Sequence, residues 1–372
     1  MVPIYQHFAD MEDPRVSRTR VHPLPDILVL TILAVICGAD SFVAIERFGK
    51  AKEAWLRSFL ELPGGIPSHD TIGRVFSLLD ADRFTELFMS WVASCVETTV
   101  GQVIAVDGKT VRGSVNGAAG LAGIHLVSAW ATANHVVLGQ VKTAAKSNEI
   151  TAIPDLLDLL EVSGCIITID AMGCQKAIAA KIREHEADYL LQLKENHPTL
   201  FGLVDGYFAD GIATAFAGLD VDFYEQVDRG HNRDEHRRTW VTADLDWLPE
   251  SGDWVGMKSL VCVESTRTPV DKPTSVNLRY YLSSIENPTA EKVAKAVRAH
   301  WGIENEMHWV LDVGFREDHS RVRIGNAAEN LAVVRRIALN LLKQEETAKV
   351  GIKNKRLMAG WDHDYLLKVL AV

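Results

Sequence analysis

Val103-Ile104-Ala105-Val106-Asp107, running on into Gly108-Lys109-Thr110, and Cys165-Ile166-Ile167-Thr168-Ile169-Asp170, running on into Ala171-Met172-Gly173, decide the fold of this chain. Each is a short apolar run rich in β-branched residues and closed by turn formers. That is the pattern of a fully buried strand rather than a helix. Each run also ends on an aspartate. An acid placed there stands at the rim of a sheet, where ligands and chemistry collect.

Outward from these two runs, strands are predicted at 103–107, 124–133 and 136–142, with Asn134-His135 as a hairpin turn. A helix over 149–161, opened by Ser147-Asn148-Glu149, leads to strand 165–169, helix 174–185 and strand 189–193. The order β-β-β-α-β-α-β describes a mixed sheet like that of ribonuclease H, in which the first and fourth strands lie side by side and parallel. Asp107 and Asp170 are then neighbours. Strand patterns return at 221–227, 237–243, 260–264 and 278–282, reading as a β insertion. Helical patterns follow from Thr289 towards Asp312, with Gly302 as a break, and again over 326–345. Residues 1 to about 95 read as helical. The expected division is a helical N-terminal domain over 1–98, the first part of the catalytic core over 99–220, the β insertion over 221–285, closing helices over 286–345 and a helical tail over 346–372.

Composition narrows the function. With 47% apolar and 24% charged residues among 372, the chain is ordinary globular protein. Its longest apolar run, Ile27 to Cys37, is shorter than the roughly 18–20 residues that span a bilayer and predicts a buried helix. No membrane association and no export are expected, which leaves a cytoplasmic protein. The five cysteines are widely spaced and form no CxxC ligand pair, so neither a disulfide framework nor a structural zinc site is indicated. A net charge of −10 argues against indiscriminate nucleic-acid binding, though not against a local basic groove.

Glu304 lies in the polar-faced stretch His300-Trp301-Gly302-Ile303-Glu304-Asn305-Glu306-Met307-His308-Trp309. Together with Asp107 and Asp170 it points to a metal-dependent nuclease-type site. Clustered carboxylates repel one another and either bind a proton or a cation. Mg²⁺ or Mn²⁺ accepts such oxygen ligands and keeps positions open for phosphate and water. Two ions about 3.5–4 Å apart suit phosphoryl transfer. A competing reading uses His300, Glu304, His308 and Asp312, four residues apart, as a zinc face, although this is not the HExxH spacing. Trp301 and Trp309 are expected in the core. Ser68-His69-Asp70 caps a helix that is either the second helix of a helix-turn-helix, with His69 and Arg74 towards DNA, or an ordinary surface helix. Gly113-Ser-Val-Asn-Gly-Ala-Ala-Gly lacks the lysine of a nucleotide-binding loop, so no nucleotide is expected.

The chain resembles the DDE-type insertion-sequence transposases, most closely the H-repeat-associated group found with Rhs elements. The resemblance covers nearly the whole chain. It rests on His22-Pro-Leu-Pro-Asp-Ile-Leu, Gly65-Ile-Pro-Ser-His-Asp-Thr-Ile, Ala105-Val-Asp-Gly-Lys-Thr-Val-Arg, Lys146-Ser-Asn-Glu-Ile-Thr-Ala-Ile-Pro and Thr168-Ile-Asp-Ala-Met-Gly-Cys-Gln-Lys. Asp228-Arg-Gly-His-Asn-Arg, His300 to Trp309 and Phe315-Arg-Glu-Asp complete it. It implies a ribonuclease-H-like core interrupted by a β insertion, a catalytic and metal-binding triad of Asp107, Asp170 and Glu304, and phosphoryl transfer on two Mg²⁺ or Mn²⁺ ions. It also implies a homodimer acting on paired double-stranded DNA ends. Broader insertion-sequence transposases carry Tyr, Arg and Lys around the glutamate, where this chain has Val297, His300 and Leu311. Candidate DNA contacts are therefore Lys109, Arg112, Arg298 and His300, then Arg229, His231 and Arg233 in the β insertion. Arg316, Arg321 and Arg323, with Arg335 and Arg336, follow near the end. The expected activity is cutting at element ends and joining the 3′-hydroxyl to target DNA. Its rivals are a catalytically inactive DNA-binding relic and a ribonuclease-H-fold nuclease without strand transfer.

Overall fold

The computed structural model describes residues 3–115, 122–144, 148–230, 233–270 and 273–371. Two compact units are interleaved along the chain. One comprises Met1–Glu97, Gly108–Ala145 and Ile303–Val372, the other Thr98–Asp107 and Lys146–Gly302.

The second unit holds most of the sheet. Strand β1 (Val103–Thr110) begins in it; β4 (Ile166–Ile169), β5 (Asp188–Leu193), β6 (Asp222–Gly230), β7 (Arg233–Thr242), β8 (Ser259–Pro269) and β9 (Ser275–Ser283) lie wholly within it. Their order is β1-β4-β5-β9-β8-β7-β6. β1, β4 and β5 run parallel, with Val106 opposite Ile169 and Ile169 opposite Leu191. β9 joins β5 antiparallel, and β6 to β9 form an antiparallel meander. The expected β insertion is thus an extension of the same sheet. Ile166, Leu190, Val241, Val261, Val263 and Tyr281 pack against Ala290, Val293, Ala296 and Val297 of helix Ala290–Gly302. Each such fully buried side chain contributes about 1.5–3 kcal/mol. A helix absent from the sequence reading, Pro198–Ala213, starts with proline in its first turn and is pinned by Tyr280 Oη donating to Asp205 at 2.6 Å.

In the first unit β2 (His125–Ala131) and β3 (Val136–Lys142) pair antiparallel, in the order β3-β2-β1. Strand order and direction are those of the ribonuclease-H-like mixed sheet. From residue 3 to 97 the described elements are helical only. Ser41, Ser68 and Asp80 accept from backbone N–H groups at the starts of helices Phe42–Leu56, His69–Leu78 and Ala81–Cys95. Helix Leu24–Ile36 is buried almost all round, as expected for its apolar run. No described helix is long and apolar enough to cross a membrane. Helix Ala327–Gln344 is buried along nearly its whole length and is tied to β3 by Asn340, which exchanges two 2.9 Å hydrogen bonds with the backbone of Val137.

Candidate active site

Parallel pairing of β1 with β4 sets the acids. Val106 and Ile169 are direct partners, so Asp107 and Asp170 are the next residue on each of two neighbouring strands. Parallel neighbours lie about 4.8 Å apart, which puts both residues at one level of the sheet, although β1 runs on to Thr110, so that Asp107 lies within its strand and not at the end expected for it. Both are half-buried. Asp170 ends its strand and accepts from Met172 N at 3.0 Å, fixing the turn Ala171–Gly173. A cleft of about 750 Å³ next to this turn is bordered by Ala171, Met172, Lys194 and Asn196. Two residues before Asp170, buried Thr168 is hydrogen-bonded to His300 Nδ1 at 2.9 Å. His300, expected to face phosphate, thus anchors the end of its helix to β4.

In the first unit Glu304 is exposed and lies on a π-helical segment, Ile303–His308. Such widened turns mark functional sites often enough to be informative. Ile303 and Met307 are buried beneath it. Glu306 bonds Lys343 at 3.0 Å and His135 at 2.5 Å; burial alone would raise its pKa, but Lys343 and His135 hold it below the ordinary carboxylate value. The turn that presents Glu304 is therefore held from two sides. The sequence read this stretch as plain α-helix, because a π turn leaves no signature in apolar spacing. Against the zinc reading, His300 Nδ1 is engaged by Thr168 of β4. Among the described residues no three or more His, Cys, Asp or Glu groups are gathered around a metal position.

Lys109 corrects another expectation. It is buried, not poised for phosphate, with Nζ 2.7 Å from Asp312, 3.2 Å from Glu317 and 3.1 Å from Asp318. Burial opposes its charge, but Glu317, Asp312 and Asp318 prevail and raise its pKa. Glu317 is wholly buried and also meets Arg336 at 3.0 Å and Arg335 at 3.8 Å. Burial would push this carboxyl up, yet Arg336, Lys109 and Arg335 bring it down to about 2. Arg335 and Arg336 are therefore internal cations, unavailable to DNA. Sequence reasoning missed Glu317, and its only signal was membership of the Phe315-Arg-Glu-Asp motif. Trp309, expected in the core, is 60% exposed.

The remaining candidates divide by exposure. Arg112 is exposed and lies 3.4 Å from Asp318. Arg316, Arg321 and Arg323 are exposed and, with His69 and Arg74, line a groove of about 950 Å³ in the first unit. Arg229 is exposed near the tip of the β6–β7 hairpin, and Arg298 is exposed on helix Ala290–Gly302. His231 lies outside the described residues, as does the side chain of Arg233, whose backbone opens β7.

Mg²⁺ is usually held by one or two carboxylates plus water and substrate phosphate. The adjacent, oxygen-only pair Asp107 and Asp170 fits that requirement. The mixed sheet, with Asp107 and Asp170 on neighbouring parallel strands, defines the class, a ribonuclease-H-like fold. Residues 98–341 match the family described as transposase DDE domain, and residues 5–92 match its companion, DDE_Tnp_1-associated. The chain belongs to the transposase DDE domain family. It is 44% identical over 353 residues to "Putative transposase YncI" of Escherichia coli O157:H7, covering 94% of this chain and 90% of that one. It is 40% identical over 372 residues to "H repeat-associated putative transposase YhhI" of Escherichia coli K12, covering 99% and 97%. A shorter relative, "Inactive transposase YbfQ" of the same strain, is 43% identical over 74 residues, covering 20% of this chain and 88% of that one.

Proposed function

We propose that this chain is a DNA transposase that cuts at the ends of an insertion element and joins the freed 3′-hydroxyl to target DNA. The adjacency of Asp107, within β1, and Asp170, directly after β4, each following the paired residues Val106 and Ile169, carries the reading, and family membership supports it. Asp107, Asp170 and Glu304 are the residues that would hold two divalent ions, Mg²⁺ or Mn²⁺. When bound, such ions activate the attacking oxygen and stabilise the leaving one. Asp170 is oriented by its own turn, and Glu304 by the braced π segment. His300 positions the helix that leads to Glu304 instead of gripping phosphate. Exposed Arg112, Arg229, Arg298, Arg316, Arg321 and Arg323 contact the DNA backbone, with His69 and Arg74 on the same groove as the last three. Lys109 is excluded by its burial. Residues 1–98 serve DNA binding, 99–220 and 286–345 the catalytic core, and 221–285 the β insertion. The active species is a homodimer on paired ends.

The test is incubation of a labelled duplex carrying the element's ends with the protein, with and without Mg²⁺ or Mn²⁺. Metal-dependent cleavage followed by joining supports transposition. Cleavage without joining indicates a nuclease, and binding without cleavage an inactive DNA-binding relic.

A further inference from the structure

The sheet face that carries Val241, Val261, Val263 and Tyr281 is covered by helix Ala290–Gly302. Side chains alternate along a strand, and Arg237 pairs with Ser265, Glu235 with Arg267, and Val263 with Arg279. The apolar half of this face therefore gives way, within two to four residues along each strand, to Arg237, Arg267 and Arg279. Arg298 joins them from the helix. All four guanidinium-bearing side chains line one pocket, with Tyr224, Thr239 and Ser265 adding hydroxyls and, among the described residues, no carboxylate in the lining.

Four guanidiniums converge on this pocket. Asp228 pairs with Arg237, and Glu235 serves both Arg237 and Arg267, the latter at 3.2 Å. Arg279 lies over Trp301, 5.3 Å from the ring centroid, a contact that fixes its plane without neutralising it. Among the described residues, two carboxylates, Asp228 and Glu235, are paired with these guanidiniums. Concentrating partly buried cations is costly unless an anion compensates, and burial together with Arg298 and Arg267 already lowers the pKa of Arg237. Guanidinium forks beside hydroxyl donors match the oxygens of a phosphate group. The inner space is about 30 Å³, enough for one water-sized group, so a phosphate edge enters and a base or nucleoside does not.

We infer that this pocket of the second unit grips a backbone phosphate of bound DNA, at a position separate from Asp107 and Asp170. The inference rests on the DNA-binding reading above. A single phosphate contact contributes about 0.9 to the slope of log K against log salt.

The experiment compares wild type, Arg298→Gln and Arg279→Gln for binding a labelled duplex between about 50 and 200 mM salt, without divalent metal, after melting curves establish folding. Arg279→Lys keeps the charge but not the fork. The expected result is binding weakened about 5–10-fold near 0.1 M salt and a slope reduced by about 0.9 in the glutamine variants. Arg279→Lys keeps the slope with part of the loss in affinity. Wild-type binding that both glutamine variants reproduce in affinity and slope overturns the pocket and leaves the DNA reading intact. In a second arm, inorganic phosphate is titrated against chloride at matched ionic strength while the melting temperature is followed. A phosphate-specific rise confined to wild type, with no duplex binding, assigns the pocket to free phosphate. That outcome overturns the backbone assignment together with the DNA reading.

Discussion

Glu317 shows how one buried acid organises its surroundings. With no exposure, it balances Lys109, Arg335 and Arg336. Removing one member of such a buried network costs about 3–5 kcal/mol, so Glu317→Gln is expected to destabilise the fold by that much in denaturant unfolding. Its folded-state pKa of about 2 lies below the ordinary value of 4.5. The stability it brings is therefore complete above about 4.5 and drains away as pH falls towards 2. Unfolding free energies measured across that window should converge for wild type and Glu317→Gln at the acid end; parallel profiles would remove Glu317 from the account. The neighbouring places of Asp107 and Asp170 were legible in the sequence because two apolar runs that each stop on an acid fit adjacent parallel strands; the continuation of β1 to Thr110 was not, since Gly108-Lys109-Thr110 carries no apolar pattern. The role of Lys109 was not, because its partner Asp312 lies 203 residues away.

At the scale of elements, the turn Arg112–Ser114 packs closely on the segment that follows Glu317. A Cβ added to Gly113 would lie 2.2 Å from the carbonyl oxygen of Ser320. Gly113→Ala should therefore cost about 1–3 kcal/mol, read as a lower melting temperature, and an unchanged melt would contradict the close approach. Deleting Asn305 should return the π segment to α-helix and turn Glu304 by about 100° relative to the helix that follows. Cleavage should be lost while duplex binding persists; full cleavage by the deletion variant would dismiss the widened turn. The strands and most helices were legible from alternation and caps. Helix Pro198–Ala213 was not, because Gly202, Gly206 and Gly211 dilute its periodic signal. The β-insertion strands ran longer than their apolar runs, since hydrogen bonding in a meander continues past the residues that burial marks.

For the whole molecule, the interleaving of the two units has a consequence for truncation. Helix Ala327–Gln344 is buried partly by residues of the first 97: Asn330 donates to the carbonyls of Phe76 at 2.9 Å and Leu79 at 3.0 Å. Arg356 likewise donates to Val35 at 2.7 Å. A chain starting at residue 98 should expose this apolar helix. It should aggregate or bind a hydrophobic dye, and a monodisperse, fully folded product would contradict the assignment of those helices to one unit. A division into consecutive domains is what sequence can offer. Interleaving arises from contacts between distant segments, which no local pattern records.

The central claim is that Asp107 and Asp170 form one metal-dependent site for DNA strand transfer. Its most direct measurement is cleavage and joining of a labelled duplex bearing the element's ends, in Mg²⁺ or Mn²⁺, by wild type, Asp107→Asn and Asp170→Asn. Loss of an outer-shell partner of a metal site costs up to about 100-fold, so loss of either aspartate should exceed that, with duplex binding retained. Cleavage by either variant at the wild-type rate, or its absence in all three proteins despite tight binding, would contradict the account.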